Sequence, residues 1–226
     1  MIAIFFVILI LVTIYGPQIW AKFILEKYNK EEYFSGTGFD FANILVDSAG
    51  LTNVKVETTE IGDHYDPIDK VVRLNPATYN RRSLTAVVIA AHEVGHAIQD
   101  QTEYLPLSLR TRLVTIASKI ERIGAASLVL IPIITLLTRI PALGIIMLGA
   151  GAASIIAPVI VHLFTLPVEL DASFKRALPI LATGEYIPPE DQDAARNILT
   201  ACALTYVAGA LSSLLNVWRW LRILRR

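Results

Sequence analysis

The sequence predicts a mainly α-helical integral membrane protein with a small β element, on three observations. The chain of 226 residues is 54% hydrophobic, with a mean hydropathy of +0.54. Its apolar residues gather in long runs free of charged side chains, most of them reaching the roughly 20 residues that a bilayer-spanning helix needs. Stretches rich in β-branched residues are short, Val54–Thr59 and Val71–Leu74. Basic and acidic residues balance at 20 each, which leaves no electrostatic case for nucleic acid. The single cysteine, Cys202, excludes an intramolecular disulfide and a CxxC metal site.

Met1–Ala21 carries no charge, and it lacks both a basic leader and a small-x-small cleavage site. It therefore reads as a retained anchor and not as a signal peptide. An amphipathic stretch, KFILEKYNKEEY, follows it. SGTGFDFANILVDSAG reads as a capped helix, with Ser, Thr and Gly at its start and Gly50 at its end. The two β-branched runs read as strands joined by a polar loop containing Gly62, Asp63, Asp66 and Pro67. NRRSLTAVVIAAHEVGHAIQDQ is expected as a helix with Ser83 as N-cap. On it His92, His96 and Gln99 share one stripe. LSLRTRLVTIASKIERIG then carries Arg110, Arg112, Lys119 and Arg122 towards the membrane. Spans are expected at about 1–21, 120–138, 140–166 and 197–218, the middle two forming a hairpin that turns near Arg139, within one membrane-embedded domain covering 1–226. An apolar soluble core is the competing reading, but bare runs of this length exceed ordinary buried helices.

AAHEVGHAIQ, Ala90–Gln99, contains an HExxH pattern. Histidines at i and i+4 of a helix can present ring nitrogens to one Zn²⁺, with the intervening glutamate beside an activated water. His92 and His96 are the expected metal ligands and Glu93 the general base in hydrolysis of a carbonyl polarised by the metal. A solvated helix with a histidine pair is the alternative. The apolar flanks (Val88, Ile89, Ala90, Ala91, Val94) speak against it, because ionisable groups in such surroundings need partners.

Catalytic zinc needs a third protein ligand. The remaining histidines are His64 and His162, and His162 sits inside an apolar run, where helix packing is the simpler role. Glu169 in TLPVELDASFKRAL is the best acid, placed after Pro167 at the start of a helix-like segment where the third span leaves the membrane. A two-span hairpin separates it from the histidines and returns the chain to their side. Asp171, two residues on, does not share its face and is expected to orient a histidine ring without touching the metal. The competing reading of both acids is a carboxylate pair at a helix N-terminus.

GDHYDP, VRLNPATYN, AAHEVGHAIQ, TLPVELDAS and ACALTYVAGAL occur in this order, and together they resemble the YugP-like neutral zinc metallopeptidases over nearly the whole chain. The resemblance implies a bacterial-type, membrane-embedded peptidase with zinc on His92, His96 and Glu169, and Glu93 catalytic. More distantly the layout is similar to membrane gluzincins that carry the third ligand in a Glu-x-x-Ala-Asp pattern. Here the order is Glu169-Leu170-Asp171-Ala172-Ser173, so Ser173 stands in the usual Asp place.

Val71–Leu74 is expected as a sheet edge able to pair with substrate backbone. His64 or Tyr65 would then donate a hydrogen bond to the tetrahedral oxyanion, while an Asx turn capped by Asp63 and Asp66 is the structural alternative. Lys and Arg near span ends are more numerous on the active-site side (Lys22, Lys27, Lys30, Arg110, Arg112, Lys119, Arg122, Lys175, Arg176) than on the other, which has Arg139 and the tail arginines. That count favours a cytoplasmic active site in a prokaryotic plasma membrane, provided the tail lies along a surface with Trp218 and Trp220 at the interface. The expected fold class is thus a helical integral membrane metallopeptidase with a small β element beside the HExxH helix. Its cofactor would be Zn²⁺, its substrate a protein or peptide, its surroundings a lipid bilayer. A catalytically silent metal-binding scaffold or chaperone is the main rival, but a purely structural site has no use for Glu93. A transporter would hold charges at mid-membrane depth, and these spans lack them.

Overall fold

The computed structural model describes residues 2–224; Arg225 and Arg226, and the side chains of Trp218 and Trp220, lie outside what it describes. Helix α1 (Ile2–Lys27) enters the core at its C-terminal end, through Ala21 and Ile24. Helix α2 (Gly38–Ser48) is closed at both ends by its own sequence. The Asp40 amide donates to the Thr37 hydroxyl at 3.2 Å and the Thr37 amide to the Asp40 carboxylate at 2.8 Å, a reciprocal capping box. Gly50, at φ +65°, takes the left-handed turn that lets its own amide and that of Leu51 reach back to Asp47 and Val46, each at 3.0 Å.

The sheet has three strands: β1 (Lys55–Thr58), β2 (His64–Asp66) and β3 (Val71–Leu74), in the order β1-β3-β2. β1 runs parallel to β3, and β2 antiparallel to it with Tyr65 opposite Val72. Two expectations are corrected here. The segment read as a loop contains a strand, too short to show an alternating pattern. Val71–Leu74 is the central strand and not an edge, so the edges are β1 and β2. The Asx turn at Asp66 is present, its Oδ1 accepting from the amides of Ile68 and Asp69 at 2.9 and 3.2 Å.

Helix α3 (Pro76–Asn80) is capped by Asn75, whose amide donates to Asp63 at 2.8 Å and so ties the loop before β2 to the helix. Ser83 caps α4 (Leu84–Gln101), accepting from the Ala86 amide at 3.2 Å. The Thr85 hydroxyl bonds the Leu25 carbonyl at 3.0 Å, fixing the start of α4 to the end of α1. From Leu84 to Ala97 every residue of α4 is buried, so the HExxH segment runs through the middle of the core. Around it pack α2, β2, β3 and the first half of α8, with Leu45, Val72, Val88, Leu181 and Ile198 among the buried residues.

The basic stretch LSLRTRLVTIASKIERIG and the second expected span are one continuous helix, α5 (Leu105–Thr138). Arg139, at φ +52°, turns the chain into α6 (Pro141–Leu170), which packs along α5 as a hairpin. At its far end α6 does not stop. It continues as a π-helical segment, Asp171–Ala177, and then α7 (Leu178–Thr183). Glu169 therefore lies inside a continuous helical run and not at a helix start, which also removes the reading of Glu169 and Asp171 as an N-terminal carboxylate pair. Helix α8 (Gln192–Leu224) completes the chain. Among the described residues two helical stretches, Ala142–Thr183 and Pro189–Ser213, are long and apolar enough to cross a membrane, an 18-residue window in each having mean hydropathy 2.2 and 1.2. His162 is a packing residue between them, its ring lying against the backbone of Gly209.

Candidate metal centre

One helical turn separates His92 from His96, so both rings leave the same side of α4, with their centroids 4.8 Å apart. Between them in sequence stands Gly95. A Cβ there would come within 2.9 Å of the Ala172 carbonyl oxygen, closer than real side chains approach. The missing side chain lets the π-helical segment lie directly on α4, and that contact delivers Glu169 to the histidines. Its Oε2 is 3.1 Å from His92 Nε2 and 3.3 Å from His96 Nε2. The three residues are buried, and a ligand atom from each lies within 4.8 Å of the others.

These positions fit a zinc ion. Four-coordinate zinc with bonds of about 2.0–2.1 Å places neighbouring ligand atoms roughly 3.3 Å apart. Glu169 is 0% exposed, and among the described residues its Oε1 has no hydrogen-bond partner. Its nearest cationic side chain is Arg110 of α5, with Nη2 at 3.9 Å and a buried Nε that is also unpartnered. A buried carboxylate oxygen left without a partner costs free energy unless a donor or a cation joins it.

Glu93 is 6% exposed and adjacent to the cluster. Burial pushes its carboxyl up to about 7; His92 opposes this shift, while Glu169 and Asp63 add to it. A carboxyl in that range is suited to exchange protons near neutral pH.

Other expected site residues fall less simply. Asp171 touches neither histidine. Its Oδ2 accepts from Gln99 Nε2 and from Arg176 Nε, each at 2.9 Å. The side chain that does meet His96 Nδ1 is Gln99, at 2.9 Å, and Ser173 Oγ meets His92 Nδ1 at 3.1 Å. Ser173 occupies the place where related patterns carry Asp, so that position still holds a ligand ring here, with a hydroxyl. His64 on β2 is outside the metal cluster, its Nδ1 donating to the Gly62 carbonyl at 2.8 Å. The Tyr65 hydroxyl donates to Asp100 at 2.6 Å, so its hydrogen is engaged there in this structure. Sequence reasoning passed over Arg110 and Ser173 as site residues, and also Tyr206 of α8, which has Glu169 and Glu93 among its charged neighbours. The block ACALTYVAGAL was the available signal for Tyr206.

A histidine pair on one helical turn and a glutamate from a distant helix, with a buried glutamate beside them, are a group that could hold a zinc ion. The chain belongs to the family described as "Putative neutral zinc metallopeptidase", whose sequence model matches residues 2–225. It is 37% identical over 215 residues to "Putative membrane protease YugP" of Bacillus subtilis, covering 92% of each chain. No solved structure matches it.

Proposed function

We propose that the chain is a membrane-bound, zinc-dependent endopeptidase acting on protein or peptide substrates, with His92, His96 and Glu169 as ligands and Glu93 as general base. The observation that carries this reading is the burial of four ionisable side chains around one small volume, His92, His96, Glu169 and Glu93. Bound there, zinc would polarise the scissile carbonyl and make a water nucleophilic at neutral pH. Glu93 takes the proton of the attacking water and passes it to the departing amine. Its raised proton affinity suits both halves of that transfer. Arg110 Nη2 stands 3.9 Å from Glu169 Oε1, a charge neighbour without a hydrogen bond, while Oε2 faces the histidines. His64 remains the proposed oxyanion donor. Because its Nδ1–H is given to Gly62, donation from Nε2 requires the imidazolium form.

The membrane reading covers four spans with the active site on the cytoplasmic side. Exposed aliphatic side chains along α5 and α6, among them Val129, Leu136, Leu137, Ile145, Ile146 and Leu163, suit a lipid-facing surface on that hairpin. The α5–α6 hairpin is consistent with the histidines and Glu169 sharing one membrane face. Substrate backbone would pair with β2, the edge strand packed on α4, in place of the central β3. Metal analysis of detergent-purified protein tests the centre. Wild type is expected to hold about one zinc per chain and Glu169→Gln far less. A wild type free of zinc, or an unaffected Glu169→Gln, would contradict it.

A further inference from the structure

Gln99 lies seven residues after His92 and three after His96, and its side chain is 0% exposed. Which end of a glutamine amide is oxygen must be read from its partners. Two of them are unambiguous. The Val168 carbonyl, at 2.8 Å, and the Asp171 carboxylate, at 2.9 Å, can only accept. Asp171 is in turn held by Arg176. Both acceptors face the same amide nitrogen, so Gln99 Oε1 is turned to His96 Nδ1 at 2.9 Å. An amide oxygen cannot donate; the hydrogen of that bond belongs to His96. A neutral imidazole has one N–H; with it on Nδ1, the lone pair lies on Nε2, available to a cation held between that nitrogen and the Glu169 carboxylate.

Ser173 exerts no such control on His92. A hydroxyl both donates and accepts, so the 3.1 Å contact with His92 Nδ1 is compatible with either tautomer. The two ligand rings are therefore held with unequal strictness.

We propose that Gln99 is a positioning residue that fixes His96 in its Nδ1–H tautomer and presents the Nε2 lone pair to the metal, its own amide being oriented by Val168 and by the Asp171–Arg176 pair. Asp171 thus acts on a ligand ring through Gln99. The proposal rests on the zinc-centre reading, but its first consequence exists before any metal binds.

The test uses full-length, detergent-solubilised protein labelled with ¹⁵N at histidine, with His96 assigned by substitution. Zinc-free wild type is expected to show a proton on His96 Nδ1, whether or not Nε2 also carries one toward Glu169. Gln99→Met, similar in size but without an amide, is expected to give a mixture of tautomers and a 10–100-fold weaker zinc affinity by chelator competition. Asp171→Asn is the milder variant should Gln99→Met fold poorly. Its amide nitrogen offers Gln99 Oε1 a donor, which loosens the orientation and should weaken zinc binding several-fold. Ser173→Ala is expected to leave the His96 signal unchanged. An Nε2–H tautomer in wild type overturns the proposal without any variant. So does a Gln99→Met protein whose tautomer and zinc affinity match wild type. If wild type shows the expected Nδ1 proton yet binds no zinc, the metal-centre reading fails and the presentation of His96 to a metal falls with it. Normal zinc binding by wild type, with no dependence on Gln99, fails the positioning role alone.

Discussion

Gly95→Ala adds one methyl group at the contact on which the metal centre depends. In an exposed helix the change would stabilise by about 1 kcal/mol, since alanine loses less backbone entropy than glycine. At Gly95 the new Cβ would stand 2.9 Å from the Ala172 oxygen and 3.5 Å from its carbonyl carbon, so α4 and the π-helical segment must separate by roughly 0.5 Å to restore ordinary contact. Overpacking against backbone costs about 1–3 kcal/mol, which cancels or exceeds the helical gain. The same displacement moves Glu169 and Ser173 away from His92 and His96, and about 0.5 Å is the limit within which a preorganised site keeps its geometry. The expected result is a zinc affinity about tenfold or more below wild type, with a melting temperature equal to or lower than wild type. Chelator competition and thermal unfolding in detergent measure both. A Gly95→Ala protein that is more stable and binds zinc as tightly as wild type would refute the role assigned to the α4–Ala172 contact.

Asp40→Ala removes one half of the capping box on α2 and should cost about 1 kcal/mol at neutral pH. Hydrogen bonds from the Thr37 amide and hydroxyl hold the Asp40 carboxyl below its ordinary value. Its contribution is therefore complete above the unfolded carboxylate's pKa of about 3.9 and is lost as pH falls through the lower folded value. Denaturant titrations of wild type and variant should converge in that acid range; a constant gap at all pH would contradict the assignment. His64→Ala should lower turnover of a peptide substrate about 10²-fold while zinc content stays at the wild-type level. Loss of zinc would make His64 a ligand and overturn the assignment of the third ligand to Glu169.

Much of the site was legible because its chemistry repeats at helical spacing. His92, Glu93 and His96 announce themselves in five residues, and Glu169 stood out among 20 acidic residues by its place after Pro167 at the end of an expected span, with the two-span hairpin as support. What stayed hidden has physical reasons. A π-helical segment has no composition of its own, so the run Leu170–Ala177 read as the start of a helix and the partners of Asp171 were misjudged. Sheet order is set by packing on α4 and not by local pattern, which is why Val71–Leu74 looked as good an edge as any other strand. β2, with three residues, is shorter than any periodicity can reveal. Gln99 was visible on the histidine stripe, but its role depends on acceptors from Val168 and Asp171, some 70 residues away in sequence.

The most direct test of the central claim compares cleavage of an unfolded protein by zinc-loaded wild type and Glu93→Gln, purified alike in detergent. The account predicts cleavage by wild type that a zinc chelator abolishes, and a loss of about 10²-fold or more in Glu93→Gln with its zinc retained. Equal cleavage by the two proteins would contradict the assignment of Glu93 as the base.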